Sequence, residues 1–249
     1  MTKHLQSVDH IYDALLNEIK EHKTKGENVM AVFDLDSTLI EVGPRMTQIL
    51  RDFAKEKKHL GKYPKECRIL EKYNHHPEDW GIEHCIERIG LASSSFDFFK
   101  DLTRYWRGRF FSNDYLQFDE PLPGANEFLQ ELHKNGVHIS YLTARESKAM
   151  LEGTVQSLKK HGFPLEEKNE NLFLKEKMEK PDPEFKRDIL KDMVNNYGSV
   201  WFFENEPINL RVVRETLPQV RLVYIDSVHS GREAPPTELA VITHFQRQK

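Results

Sequence analysis

Val29-Met30-Ala31-Val32-Phe33-Asp34-Leu35-Asp36-Ser37-Thr38 is the stretch on which the fold turns. Its first five residues are apolar without alternation, the pattern of a strand buried on both faces. Two aspartates one residue apart stand at the exit of that strand. If the chain stays extended, Leu35 faces one way and both carboxylates the other. Like charges so close raise one pKa unless a cation intervenes. Such a pair can hold one carboxylate as nucleophile or metal ligand and the other as a proton carrier. The same residues would also suit a strand end closed by an Asx or ST turn. What surrounds them decides between the two.

Upstream, Val8, Ile11, Tyr12, Leu15, Leu16 and Ile19 recur with helical spacing and predict an amphipathic helix that ends before Lys25-Gly26. Gly43-Pro44 breaks the chain just past the aspartates. Three amphipathic helices without strands follow, marked by Met46 to Ala54, Trp80 to Ile89 and Phe96 to Trp106, with a basic run from Lys55 to Lys72. After Pro121-Leu122-Pro123-Gly124, helix and strand alternate. Helices are predicted over 124–135, 146–161, 183–196, 206–216 and 236–245, and strands over 137–142, 172–174, 199–203 and 220–225. Strands alternating with helices imply a parallel doubly wound α/β sheet, whose ligands bind beyond the carboxyl ends of the strands. The expected division is a core of 1–44 and 119–249, with 45–118 inserted as a helical domain.

At 249 residues the chain suffices for one large domain, or a core with an insert. With 31% charged and 38% hydrophobic residues it reads as globular, and a net charge of −4 gives no general attraction to nucleic acid or anionic membrane. No run approaches the ~18–20 apolar residues of a membrane span. Asp9, Asp13, Glu18 and Glu21 interrupt the N-terminal segment, unlike a signal peptide. Cys67 and Cys85 form no CxxC and read as buried thiols, so a cytoplasmic location is expected.

The polar residues just past each predicted strand converge on one edge of such a sheet. These are Asp34 and Asp36, then Thr143, then Glu204, Asn205 and Glu206, with Lys186 early in helix 183–196. Carboxylates, a hydroxyl and a lysine together suit a hard cation and an anionic substrate. Arg104, Trp106, Arg107 and Arg109, with Tyr105 and Phe110 among them, read either as lining the site's entrance or as a solvated helix face. His75 and His76 read better as surface histidines than as metal ligands. Ser227, His229, Ser230 and Arg232 fall near the crevice rim.

In order and spacing these motifs resemble the haloacid dehalogenase-like superfamily, in its phosphatase branch, over roughly 28–43 and 120–226. The resemblance rests on Asp34-Leu35-Asp36-Ser37-Thr38, on Thr143 in Leu142-Thr143-Ala144-Arg145, on a lysine near helix 183–196, and on Glu204. It implies a Rossmann-like core with a helical cap inserted between the first and second motifs. It implies a magnesium-dependent phosphatase acting on a small phosphate ester through an aspartyl phosphate. Asp34 would be the nucleophile and Asp36 the acid and base. Thr143 and Lys186 would hold the phosphoryl group, with Lys180 and Lys175 as other candidates. Mg2+ would lie between Asp34, the main-chain carbonyl of Asp36, and Glu204. Glu204-Asn205-Glu206 departs from the usual pair of aspartates, leaving Asn205 and Asn209 as neutral supports. The narrower alternatives are a phosphatase acting on nucleic-acid ends, suggested by the basic stretches, and a non-catalytic binding module. Oligomeric state is not encoded in any of these features.

Overall fold

The computed structural model describes residues 7–166, 171–177 and 179–247. Helix α1 (Val8–Thr24) leads into strand β1 (Val29–Phe33). After the short strand β2 (Ile40–Glu41) come helices α2 (Gly43–Lys55), α3 (Lys57–Lys62), α4 (Pro64–Leu70), α5 (Ile82–Arg88) and α6 (Phe96–Phe110). A 3-10 turn (Asn113–Phe118) and strand β3 (Glu120–Pro121) return the chain to α7 (Ala125–Lys134) and β4 (His138–Glu146). The remainder is α8 (Ser147–Lys160), β5 (Leu172–Lys175), α9 (Asp182–Val194), β6 (Ser199–Glu204), α10 (Pro207–Thr216), β7 (Arg221–Ile225) and β8 (Ala240–Ile242).

Six strands form one sheet in the order β5-β4-β1-β6-β7-β8, with every pairing parallel. Counted along the chain, this is the Rossmann order, and it reverses direction at β1. All five residues of β1 are buried, and they alternate between two cores. Val29, Ala31 and Phe33 pack with Ile11 and Leu15 of α1 and Phe128 and Leu132 of α7. Met30 and Val32 pack with Leu190 of α9 and Val213 of α10 on the other face. Helices on both faces thus bury a strand that carries no polar side chain.

The helical block between β2 and β3 has a hydrophobic cluster of its own, centred on Phe53, Leu70, Cys85, Phe98 and Leu102. It leaves and re-enters the core through the antiparallel β2–β3 pair, in which Ile40 faces Pro121 and Glu41 faces Glu120. Gly43-Pro44 does not simply break the chain. It opens α2, where proline suits the first turn because that N–H has no helical partner. The basic run from Lys55 folds as α3 and α4, which bury His59, Cys67 and Leu70, with Tyr63 buried at the junction between them. Both cysteines are buried free thiols. Among the described residues no helix is long and apolar enough to cross a membrane.

One expected element is replaced. The segment 236–245 is not a helix but carries β8, which pairs with β7. Val241 packs into one core while Ile242 packs into the other, a strand's two-residue period. β-Branched Val241 and Ile242 favour the pleated form, and pairing with β7 settles it.

Candidate active site

Strand β1 ends at Phe33, and the next six residues form a tight turn beyond the sheet. The Asp34 N–H continues the ladder to the Phe203 carbonyl at 3.0 Å, and the Leu35 carbonyl accepts from the N–H groups of Thr38, Leu39 and Ile40. Leu35 is fully buried in the same core as Phe33, so the side chains of Asp34 and Asp36 are turned away from that core. Ser37 adopts φ 61°, the left-handed region that a non-glycine residue rarely visits. The Ser227 hydroxyl donates to the Ser37 carbonyl at 2.5 Å and braces this turn.

Asp34 is buried, and Lys186 Nζ donates to its Oδ1 at 2.7 Å and to Glu204 Oε2 at 2.6 Å. Burial pushes the Asp34 carboxyl up, to about 7, with Glu204 and Asp36 adding to the rise and Lys186 opposing it. Burial alone would lower the Lys186 pKa, but the charges of Asp34 and Glu204 raise it, so the lysine stays a cation. Glu204 is saturated with donors. Its Oε1 accepts the main-chain N–H groups of Asn205 and Glu206 at 3.0 and 2.9 Å, and its Oε2 accepts Lys186 and Asn209 Nδ2, the latter at 3.0 Å. The Thr38 hydroxyl lies 3.3 Å from Asp34 Oδ2 and 3.1 Å from Asn205 Oδ1. Asn209 Oδ1 is buried without a hydrogen-bond partner among the described residues.

Asp36 has a different environment. Arg145 grips it with Nε on Oδ2 and Nη2 on Oδ1, both at 2.8 Å, and Arg45 Nη2 adds a bond to Oδ1 at 2.6 Å. The same two guanidiniums share the buried Asp119, Arg45 at 2.7 and 2.8 Å and Arg145 at 2.8 Å. Two arginines and two aspartates thus form a neutral box. Burial by itself would raise the Asp36 pKa, but the charges of Arg145 and Arg45 hold the carboxyl well below its usual range. The cation anticipated between the two aspartates therefore divides into separate partners, a lysine for Asp34 and two arginines for Asp36.

A cavity of about 370 Å3 opens over this floor. Asp34, Asp36, Thr143, Lys186, Asn205 and Asn209 line it from the core, and Trp80, Trp106, Phe110 and Phe111 from the helical block. Trp80 Nε1 donates to Glu206 Oε1 at 3.2 Å, tying the block to the loop after β6. Thr143 is buried within β4, whose register with β5 shifts between Thr143 and Glu146, and its hydroxyl accepts from the Arg145 N–H at 3.3 Å. The strand does not end at 142 as expected but runs to Glu146, and the helix expected over 146–161 follows it as α8. The strand runs on through the irregularity, which carries Arg145 toward Asp36.

A family model described as haloacid dehalogenase-like hydrolase matches residues 30–211, from β1 into α10. The chain belongs to the haloacid dehalogenase-like hydrolases. No curated protein matches it. Among solved structures, a Clostridium difficile protein provisionally described as a phosphatase is 13% identical, with a TM-score of 0.55 over 88% of this chain and 95% of that one. A predicted phosphoglycolate phosphatase from Haemophilus somnus 129pt is 14% identical, with a TM-score of 0.54 over 87% of this chain and 94% of that one. A haloacid dehalogenase-like protein from Bacteroides fragilis is 16% identical, with a TM-score of 0.51 over 88% and 98%. At such identities the likeness is one of fold.

In this hydrolase the sequence reading overlooked three residues of the site: Arg45, Asp119 and Arg145. Arg145 stood in the second motif without a role. Arg45 follows Gly43-Pro44 directly, and an arginine at a chain reversal is a weak signal for burial. Asp119 carried no signal, because only the fold brings it to the arginines. The other lysine candidates sit elsewhere: Lys180 Nζ pairs with Asp188 at 2.8 Å and Lys175 Nζ with Asp182 at 2.7 Å. Of the aromatic and basic run on α6, Trp106 and Phe110 line the cavity, while Arg104, Arg107 and Arg109 do not. Arg232 reaches the rim, and Ser230 binds Glu206 instead.

Proposed function

We propose that the protein is a magnesium-dependent phosphatase that hydrolyses a small phosphomonoester through a phosphorylated Asp34. The observation that carries the reading is the buried Asp34 carboxylate at the sheet's switch point, held by the Lys186 ammonium at 2.7 Å and open to a cavity of one small molecule's size. Asp34 attacks phosphorus, the ester oxygen leaves, and water then cleaves the acyl phosphate. Lys186 orients the nucleophile and offsets the charge of the incoming dianion. The Thr143 hydroxyl lies on the same floor to receive a phosphoryl oxygen.

Asp36 has the proton traffic in this reading, first to the leaving oxygen and then from the attacking water. The two guanidiniums set a condition on that role, since both favour its charged form. A phosphate dianion beside them competes for their N–H donors and loosens their hold on Asp36.

The donor set suits a hard cation, because every candidate ligand is oxygen. Asp34 Oδ2 and Asn205 Oδ1 would hold Mg2+, with the Asp36 main-chain carbonyl, and the orphaned Asn209 Oδ1 is a further acceptor nearby. Glu204, saturated by four N–H donors, orients Lys186 and Asn209 rather than serving as a ligand. When bound, the metal shields the phosphoryl charge from the Asp34 carboxylate. The helical block acts as a cap that selects the alcohol part of the ester, and its tie to the core is the Trp80–Glu206 bond.

The second reading is a binding module without turnover, favoured by the engagement of Glu204. Release of phosphate from para-nitrophenyl phosphate with magnesium, abolished in Asp34→Asn, decides between them. Equal rates for wild type and variant across a panel of phosphate esters would remove the enzyme reading.

A further inference from the structure

A second cavity, of about 340 Å3, lies in the helical block between α3 and α6 and is lined by Lys58, His59, Lys62, Asp101, Arg104, Tyr105 and Arg109. Four of these side chains are cations and one is a carboxylate. Glu56 stands beside them, 3.1 Å from Lys58 Nζ and 3.3 Å from Arg109 Nη2, and Lys62 Nζ pairs with Asp101 at 3.0 Å. The cluster therefore keeps a net charge of two positive units. Arg104 has no hydrogen bond or ion pair among the described residues.

The cavity also contains a buried polar atom with no hydrogen bond among the described residues. His59 is only 7% exposed, its ring stacked on Phe53 at 3.8 Å and edge-on to Tyr105 at 5.5 Å. Its Nε2 is buried and makes no hydrogen bond, although Glu56 Oε2 lies 3.4 Å away. Burial and then the Lys58 charge lower the His59 pKa, so the ring is neutral at pH 7. A buried imidazole nitrogen with no partner is costly, and natural sites rarely leave one so.

We infer that this cavity is an anion site, separate from the Asp34 cavity, for the phosphate dianion of a small molecule or for phosphate itself. A dianion balances the residual charge. Arg104 and Arg109 present guanidinium donors whose planar forks match phosphate oxygens. The tautomer with Nε2–H gives His59 the partner it lacks. The ion pairs that must rearrange are partly exposed and individually weak. The volume, near the lower end of small-ligand pockets, suits a single small molecule and not a nucleic-acid strand. Helix α6 is the shared wall: Tyr105 and Arg109 face this cavity, whereas Trp106 and Phe110 face the one over Asp34. The basic residues of α3 and α6 thereby gain a role outside the reaction.

The test is titration with inorganic phosphate in EDTA, at ionic strength held constant with chloride, while the His59 ring resonances are followed by NMR. Loss of those signals in His59→Gln assigns them. A saturable shift is expected, with a Kd raised about tenfold or more in the double variant Arg104→Ala/Lys62→Ala. Methyl phosphate titrated into Asp34→Asn identifies the source: tighter binding than phosphate means an esterified group, and equal binding means the free ion. No saturable shift, or a double variant that binds as wild type does, would overturn the proposal, and the second result would attribute the shift to the Asp34 cavity.

Discussion

Replacing Arg145 with methionine is the most informative single perturbation of the site. The substitution keeps a long side chain but removes four hydrogen bonds, two to Asp36, one to Asp119 and one to Thr154 Oγ1 at 3.1 Å. Arg45 would then face two carboxylates alone, and the neutral box would become negative. Breaking a buried ion pair from one side costs about 3–5 kcal/mol. Asp36 retains 33% of its side-chain exposure toward the cavity, so screening places the expected loss near the lower end of that range. For a chain of this size, ~2–4 °C per kcal/mol gives a fall in Tm of roughly 6–12 °C. The pH dependence gives the sharper signature. In the wild type the Asp36 pKa is depressed, so its contribution is complete above the unfolded carboxylate pKa of about 3.9 and fades as pH falls through the folded value. In Arg145→Met the carboxyl loses that depression and takes up a proton more readily when folded. The gap between the two proteins should therefore be level from neutral pH down to about pH 5 and narrow as pH falls below about 4. Urea denaturation at pH 7.5 and pH 3 measures both. A loss under about 1 kcal/mol at neutral pH, or a gap that does not change with pH, would refute the role of the box.

Two further predictions concern stability. Because burial raises the Asp34 pKa to about 7, the metal-free protein gains stability from protonation at low pH and loses it as pH rises toward and through 7. Asp34→Asn should flatten that limb, leaving the variant at least ~1 kcal/mol more stable than wild type at pH 8 in EDTA, as thermal melts across pH would register. Gly153 in α8 lies against the 3-10 turn, where an added Cβ would come 2.5 Å from the Asn113 carbonyl oxygen. Gly153→Ala should therefore destabilise by about 1–3 kcal/mol, despite alanine's better helix propensity, and unchanged stability by urea titration would contradict the packing.

What was legible in the sequence was what repeats locally. The unbroken apolar run of β1, the alternation after Gly124 and the spacing of the motifs implied a parallel sheet and a helical insertion. The order of the motifs placed the catalytic candidates at one sheet edge. The misreading of 236–245 came from a short apolar segment in which helix and strand periods are hard to separate, and pairing with β7 decided it. The short helices α3 and α4 lay hidden beneath lysines that dominate the composition while their apolar face packs inward. The Arg45–Asp119–Arg145 network was illegible for a different reason. Its members are 26 to 100 residues apart along the chain, a span that follows from their numbering, and only closure of the β2–β3 ribbon with the extension of β4 brings them to Asp36. Asp36 therefore read as a proton carrier from its motif, whereas the fold gives it two cations that must let go first.

The central claim is that Asp34 becomes phosphorylated. Acid-quenching the protein milliseconds to seconds after mixing with magnesium and para-nitrophenyl phosphate, followed by peptide mass mapping, tests it most directly. The account predicts a phosphoryl group on the peptide containing Asp34, removed by hydroxylamine and absent from Asp34→Asn. Turnover of the ester with no phosphorylated peptide at any time, or with the label on another residue, would contradict it.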